Sequence, residues 1–523
     1  MKTSPNILLL MADQLTAPAL PFYGNQVCQT PHLSALAKSS VLFENAYCNF
    51  PLCAPARYSL LTGQLASRIG GYDNAAEFSA ATPTLPYYLS ALGYHTSLAG
   101  KMHFVGPDQM HGYHERLTTD IYPSDFGWTP NWQINPPHGP AGMSMRSVVE
   151  AGVCTRSLQF DYDDEVSNKT VQKIHDLARR PSNEQQPFFL TASFTHPHNP
   201  YVTTQHWWEK YEHSAIDMPQ VGPIPYAKRD THSQRLHWLF RQDEHNITDE
   251  HVRTARHAYY ANISYVDEQM GRILSTLSDT GLDQNTIVIF TSDHGDMLGE
   301  RGLWYKYSLF ENALKVPLMV RVPGLAARRV TDLVSHVDLL PSLQEMASSN
   351  ETFEAIDPLD GTSFVPLLDG HRRLPEANTF AAEFTGEGAV APMVTVRKGS
   401  YKIIFSLADE TQLFDLSVDP LELVNLAGRA EVEAIQVDLE KEVSQRWNLE
   451  QIHEDVMGSQ KRRRWVQDQL NSVEGKSWDF QPFTDASKQF VRGGKNSSPT
   501  AVKGRARFPF VIPKAPDNPR QSS

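Results

Sequence analysis

Cysteine is scarce: Cys28, Cys48, Cys53 and Cys154 are the only four in 523 residues. So few in so long a chain exclude a disulfide framework and predict a reducing compartment, the cytoplasm. Long apolar runs are also lacking. No stretch reaches the roughly 18 residues that a membrane-spanning helix requires. The N-terminal "MKTSPNILLLMADQ" has an apolar core too brief for an export signal and meets Asp13 rather than a small-residue cleavage site. Positive charge is in deficit too, with 47 Lys and Arg against 60 Asp and Glu and a formal net charge of -13. Phosphate backbones are bound by clustered cations on a basic background, so the expected partner is a small molecule rather than nucleic acid or membrane.

What is present reads as a layered α/β protein. "NILLLM" (6 to 11), "HTSLAG" (95 to 100), "FFLTASF" (188 to 194), "TIVIFT" (286 to 291) and "VPLMVRV" (316 to 322) are short apolar runs. Runs of this kind mark strands buried on both faces of a parallel sheet. Over 248 to 280, Ile263, Val266, Met270, Ile273 and Leu277 recur at helical spacing, and Gly281 is placed to end that helix. This alternation predicts a large, mostly parallel sheet sandwiched by helices over residues 1 to 379. From 380 to 475, "VTVRKGSYKIIF" with its Lys-Gly-Ser turn predicts an antiparallel hairpin in a smaller α+β subdomain. Residues 476 to 523 lack periodicity and read as a disordered tail or an extended arm laid on a neighbouring surface.

Polar residues of an unusual kind follow the strand runs: Asp13 after the first, Lys101 and His103 after "HTSLAG", His196 and His198 after "FFLTASF", Asp293 and His294 after "TIVIFT". Ligands of parallel α/β sheets bind beyond the carboxyl ends of strands, where neighbouring side chains converge. Singly, each residue has an ordinary structural explanation as a cap, turn former or satisfied core group; together they predict one site. Asp13, Asp293 and His294 are donors suited to a divalent cation. In "LCAPARYSLLT" (52 to 62), Pro55 suits the first turn of a helix and Gly63 its end, which puts Cys53 at the positive end of a helix dipole. Arg57, one turn on, is placed to brace an anion there.

These residues resemble the type I sulfatases, the formylglycine-dependent branch of the alkaline-phosphatase-like superfamily. "CAPAR" matches the Cys-x-Pro-x-Arg signature, and Asp13, "GKMH" (100 to 103), His196, "SDHGD" (292 to 296) and Lys306 match further blocks. The resemblance implies that Cys53 is converted to formylglycine by a maturation system and attacks sulfur as a hydrated aldehyde. It implies that Asp13, Gln14, Asp293, His294 and residue 53 hold one divalent cation, calcium with manganese or magnesium as alternatives. Gln14 departs from the second aspartate of many members, although an amide oxygen can still ligate. Lys101 and Lys306 are implied to neutralise sulfate oxygens, with His103 and His196 as the proton movers in an order left open.

Within the family the resemblance is strongest to choline sulfatases, through "YDNAAE" (72 to 77), the block from 100 to 130 and "SFTHPHNPY" (193 to 201). That implies hydrolysis of choline-O-sulfate by a homo-oligomer, a dimer or tetramer. A quaternary ammonium needs aromatic faces and a carboxylate, for which Trp128 and Glu387, with Glu383 as substitute, are the candidates; Asn74 is the candidate for the sulfate or ester oxygen. The tail segment "NSSPTAVKG" (496 to 504) lacks the carboxylate that the arm of choline sulfatases is expected to supply. The alternatives are a phosphonate monoester or phosphodiester hydrolase, a sulfatase for another alkyl or aryl ester, and a non-catalytic binding protein. "GKMH" argues against the first; the intact Cys53, metal and lysine set argues against the last.

Overall fold

The structure, a computed structural model, describes residues 4–137, 139–140, 143–180, 186–348, 354–370, 379–472 and 478. Its strands in chain order are β1 (Asn6–Asp13), β2 (Val41–Tyr47), β3 (His95–Gly100), β4 (Glu115–Arg116), β5 (Gly152–Cys154), β6 (Phe188–Pro197) and β7 (Val202–Thr204). They continue as β8 (Thr286–Ser292), β9 (Leu318–Arg321), β10 (Arg328–Ser335), β11 (Thr379–Phe384), β12 (Met393–Lys398), β13 (Tyr401–Ser406) and β14 (Gln412–Asp415). Eight of them form one sheet in the order β10-β2-β9-β8-β1-β6-β3-β4. Every pairing in it is parallel except those of β9, which runs against both β2 and β8. Thus "VPLMVRV" is a strand, but a reversed one.

The apolar runs became strands for the expected reason. From Ile7 onward β1 is buried, and β6 and β8 are buried throughout, as central strands covered on both faces must be. The helix Asp249–Asp279 covers one face with Ile263, Val266, Met270, Ile273 and Leu277 inward. It starts at a Thr248–His251 capping box, and Gly281 follows its end at φ 72°. β2 and β10 and the helix Leu158–Ala178 were not anticipated; Glu44, Asn45 and Asp332 interrupt the apolar pattern of the two strands.

β11 to β14 form a separate antiparallel sheet with the hairpin turning at Gly399, φ 62°. The helix Glu433–Arg446 covers it, and Val394, Val396, Ile403, Leu413, Leu439 and Val443 make a small core of its own. This sheet nevertheless belongs to one compact unit running to residue 477. Lys402, fully buried, joins it to the larger sheet's side by donating to Glu311 Oε1 (2.9 Å) and Glu422 Oε1 (2.7 Å). Glu422 lies in "DPLELVNLA" (419 to 427), which therefore has a structural role here. The predicted arm, with its 496 to 504 segment, lies outside the described residues apart from Trp478.

Candidate active site

Because β8, β1, β6 and β3 are successive parallel neighbours, their carboxyl ends open on one edge. β2 points the same way, since two reversals across β9 restore its sense, and it leads into the helix Cys53–Thr62. That helix is buried on every side and stops at Gly63 (φ 68°). Its N-terminus therefore meets the strand ends. A Cβ on Gly100 (φ 104°) would stand 1.9 Å from Ser193 O, so only glycine lets the "GKMH" turn lie against β6.

Asp13, Cys53, Asp293 and His294, all buried, place four ligand atoms within 4.8 Å of one another. Cys53 Sγ lies 3.2 Å from His294 Nε2, and His294 Nδ1 donates to Gly295 O (3.0 Å), which aims Nε2 at the cluster. Two carboxylates, an imidazole and residue 53 are a donor set that fits a divalent cation. Arg57 serves this cluster differently from the expectation. Its guanidinium reaches past Cys53 and donates from Nε to Asp293 Oδ2 (2.9 Å), from Nη1 to Ser193 Oγ (2.8 Å) and to Lys101 O, with Asp13 at 3.6 Å. Burial would raise the Asp293 carboxyl, but Arg57 and His294 hold it well below the usual carboxylate range.

Two ammonium groups flank the cluster. Lys101 Nζ pairs with Asp13 and lies 4.1 Å from the Tyr122 ring centroid. Lys306 Nζ donates to Gln14 Oε1 (2.7 Å) and to His198 Nε2 (2.7 Å). Burial would push the Cys53 thiol up; Lys101, Lys306 and His294 outweigh it and bring the thiol well below its ordinary value. The pocket is thus built to stabilise negative charge at residue 53 and around it. Gln14, fully buried at φ 62°, donates to Asp296 Oδ2 (2.7 Å) and Asn199 Oδ1 (3.3 Å). Its side chain bridges Lys306 and Asp296 beside the cluster.

The histidines require a correction. His196 turns away: Nδ1 bonds Asp163 Oδ2 (2.7 Å), and its ring packs on Phe160 and Tyr265. Asp163 also accepts from the N–H groups of Thr195 and His196 (2.7 and 3.0 Å), so the pair fastens β6 to the helix Leu158–Ala178. His198, two residues on, is the one in the site. Its Nδ1 donates to Asn199 O (2.6 Å), which leaves Nε2 to accept from Lys306. His103, at φ 55°, has its backbone N–H on Asp120 Oδ2 (2.9 Å), which Arg116 also holds (2.6 Å). Neither His103 ring nitrogen closes a hydrogen bond of normal geometry, and burial lowers its pKa although Cys53 pulls the other way. Burial and Lys306 lower that of His198.

The outer wall brings together some of the candidates. The Trp128 ring stands edge-on to His103 (5.7 Å between centroids) and near Tyr122 (5.3 Å). Glu387 is 3% exposed, neither carboxylate oxygen has a hydrogen-bond partner of normal geometry, and burial raises its pKa to about 8. Glu383 is elsewhere: Oε2 accepts from Ser67 Oγ (2.7 Å) and Trp447 Nε1 (2.7 Å), so it is a structural acid and not a substitute for Glu387. Asn74 Oδ1 accepts the N–H of Ala54 (3.0 Å), satisfying a free donor beside Cys53. Asp120, Tyr122 and Ser193 were not singled out from the sequence, and His198 was placed at the strand end there without a role. Only the His-Pro-His spacing carried a signal, for His198.

The sulfatase family matches residues 5–349. The chain belongs to the sulfatase family. Residues 299–448 of this sulfatase match the C-terminal region of N-sulphoglucosamine sulphohydrolase, and residues 454–508 match the choline sulfatase enzyme C terminal. It is 43% identical over 507 residues to a choline-sulfatase of Rhizobium meliloti, covering 94% of this chain and 96% of that one. An arylsulfatase of Clostridium perfringens is 28% identical over 460 residues, covering 82% and 91%. Among solved structures, the phosphonate monoester hydrolase of Agrobacterium radiobacter superposes with a TM-score of 0.66 at 24% identity, over 86% of this chain and 96% of that one. At that identity the likeness shows the fold, an alkaline-phosphatase-like α/β sheet, and no more.

Proposed function

We propose that this sulfatase hydrolyses choline-O-sulfate to choline and sulfate. The observation that carries the reading is Glu387, buried, with no hydrogen-bond partner of normal geometry on either carboxylate oxygen and with the charges of Asp73, Lys306 and Cys53 acting on it. A carboxylate ordinarily collects N–H or O–H donors when buried. A quaternary ammonium has no donor to give, so it needs this arrangement together with aromatic faces such as Trp128. The resemblance to a choline-sulfatase over nearly the full chain supports the same alcohol.

The reaction follows from the geometry if residue 53 is converted to formylglycine. Hydration gives two hydroxyls on one carbon. One gives its proton to His198, whose Nε2 carries no hydrogen, as it attacks sulfur; the bond from sulfur to the alcohol oxygen breaks, and the imidazolium so formed passes that proton to the leaving oxygen. His103, beside residue 53, takes the proton of the second hydroxyl; the carbon–oxygen bond to sulfate breaks, sulfate leaves and the aldehyde is restored for hydration by water. Lys101 and Lys306 neutralise the sulfate oxygens as charge moves onto them. Asp13, Asp293, His294 and residue 53 would hold a divalent cation, whose positive charge would favour the deprotonated hydroxyl. The carboxylate-rich donor set supports calcium.

The reading extends to a homo-oligomer in the cytoplasm, matured by a formylglycine-generating system. All four cysteines are free, in keeping with a reducing compartment, and Trp465, 65% exposed beside Lys461 and Arg462, supports a subunit contact. Among the described residues no helix is long and apolar enough to cross a membrane. The division at 379/380 and the arm from 476 are proposed on the sequence pattern. Comparing kcat/KM for choline sulfate, 4-nitrophenyl sulfate and a phosphate diester tests the reading: preference for the first is expected, and preference for the diester refutes it.

A further inference from the structure

The helix Leu449–Ser472 carries no group that touches the nucleophile, yet one of its faces is turned inward at His453, Val456, Gln460 and Arg463, spaced by three, four and three. Arg463 is 6% exposed within the otherwise basic surface run "KRRRW". Its Nη1 and Nη2 donate to Asp73 Oδ1 and Oδ2, both at 2.7 Å, and Nη1 also reaches Thr129 Oγ1 (3.2 Å). Asp73 precedes Asn74, which holds the N–H of Ala54 beside Cys53; Thr129 follows Trp128. Gln460 Oε1 accepts the N–H of Trp132 (3.2 Å), and Trp132 Nε1 donates to Gly386 O (3.1 Å), one residue before Glu387. Thr385 Oγ1 closes the ring by donating to Tyr72 O (2.6 Å).

We propose that Arg463 is a positioning residue for the leaving-group wall: one guanidinium sets the segments bearing Asn74 and Trp128 against each other and, through Trp132, against Glu387. The physical reason is geometric. The nucleophile, lysines and histidines stand on strand ends that the sheet holds rigid. Asn74, Trp128 and Glu387 stand on three loops with no shared strand. A planar, bidentate guanidinium in a site excluded from water fixes both distance and orientation between two such loops, which an ammonium cannot do. Displacements of about 1 Å in a substrate-holding wall cost as much as roughly a hundredfold in rate.

The inference rests on the reading that the leaving alcohol is cationic, and the test separates the two. Arg463→Met and Arg463→Lys are compared with the parent on choline sulfate and 4-nitrophenyl sulfate in the same preparations, so that any inactive fraction cancels in the ratio. For Arg463→Met, kcat/KM for the choline ester should fall roughly tenfold relative to the aryl ester, mainly through KM, with Arg463→Lys between it and the parent. Equal loss on both esters, or an unchanged ratio, overturns the inference. Amide hydrogen exchange is the readout independent of substrate: residues 70 to 77 and 124 to 133 should exchange faster in Arg463→Lys, and unchanged exchange in both overturns it. A parent enzyme that does not prefer the choline ester refutes the substrate reading while leaving the exchange result to judge the clamp.

Discussion

Replacing His196 and His198 separately by alanine distinguishes a structural histidine from a chemical one two residues away. His196→Ala removes a hydrogen bond to a carboxylate, worth ~1.5–3 kcal/mol, and the ring packed against Phe160 and Tyr265. Asp163 keeps the Thr195 and His196 N–H donors, so it is not left unpaired. The sum is roughly 3–5 kcal/mol of stability. With an unfolding entropy of ~2 cal/mol/K per residue, this lowers Tm by roughly 3–5 °C. Since β6 keeps its sheet pairing, kcat of the folded fraction should stay within about threefold of the parent. His198→Ala removes the acceptor of Lys306 and the proposed proton donor to the leaving oxygen. The expected loss is ~10²–10⁴ in kcat, about 3–5 kcal/mol of barrier, with Tm nearly unchanged. The assay is sulfate release from choline sulfate alongside thermal melting of the same samples. Full activity in His198→Ala, or loss of turnover without destabilisation in His196→Ala, would refute the assignment.

Glu387 sets a pH dependence. Burial raises its pKa to about 8, so below that the free enzyme holds it neutral, and a cation must bind against protonation. KM for choline sulfate should therefore fall as pH rises toward 8, by up to about tenfold per unit, and level off above; Glu387→Gln should flatten the profile, and an unchanged profile contradicts the role. Arg57→Met leaves Asp13 and Asp293 buried without their guanidinium, a cost of ~3–5 kcal/mol. Added divalent cation at 100 times its Kd should return ~2.7 kcal/mol, so the variant's Tm should rise with the cation and fall on chelation; a Tm indifferent to both would count against the caged-cation arrangement. Glu383→Ala should destabilise by about 3 kcal/mol and leave KM for choline sulfate unchanged. A selective rise in KM would return Glu383 to the pocket.

Much of the site was legible because apolar runs end abruptly on chemistry-bearing residues. Asp13, Lys101, Asp293 and His294 follow buried strands directly, and parallel neighbours bring such residues together whatever the details. The helix at Cys53 was legible from Pro55 and Gly63. What failed was choice among near neighbours. His196 and His198 straddle the end of β6, where alternation no longer assigns a side, and the deciding partner, Asp163, lies on a distant helix. Glu383 and Glu387 posed the same ambiguity: Ser67 and Trp447, remote in sequence, claim the first. Arg57 was read as a brace for its neighbour because local spacing does not report a guanidinium that reaches three strands. Arg463 stands in the basic run "KRRRW", and only the tertiary position of Asp73 turns it inward.

The central claim is that residue 53 acts as an oxygen nucleophile made from a thiol beside a caged cation. Mass spectrometry of the peptide containing Cys53, taken on preparations of graded conversion and set against their turnover of choline sulfate, addresses it directly. The account predicts a peptide lightened by exchange of sulfur for oxygen with loss of two hydrogens, and activity proportional to the converted fraction. Full turnover by protein whose Cys53 is entirely the unmodified thiol would contradict it.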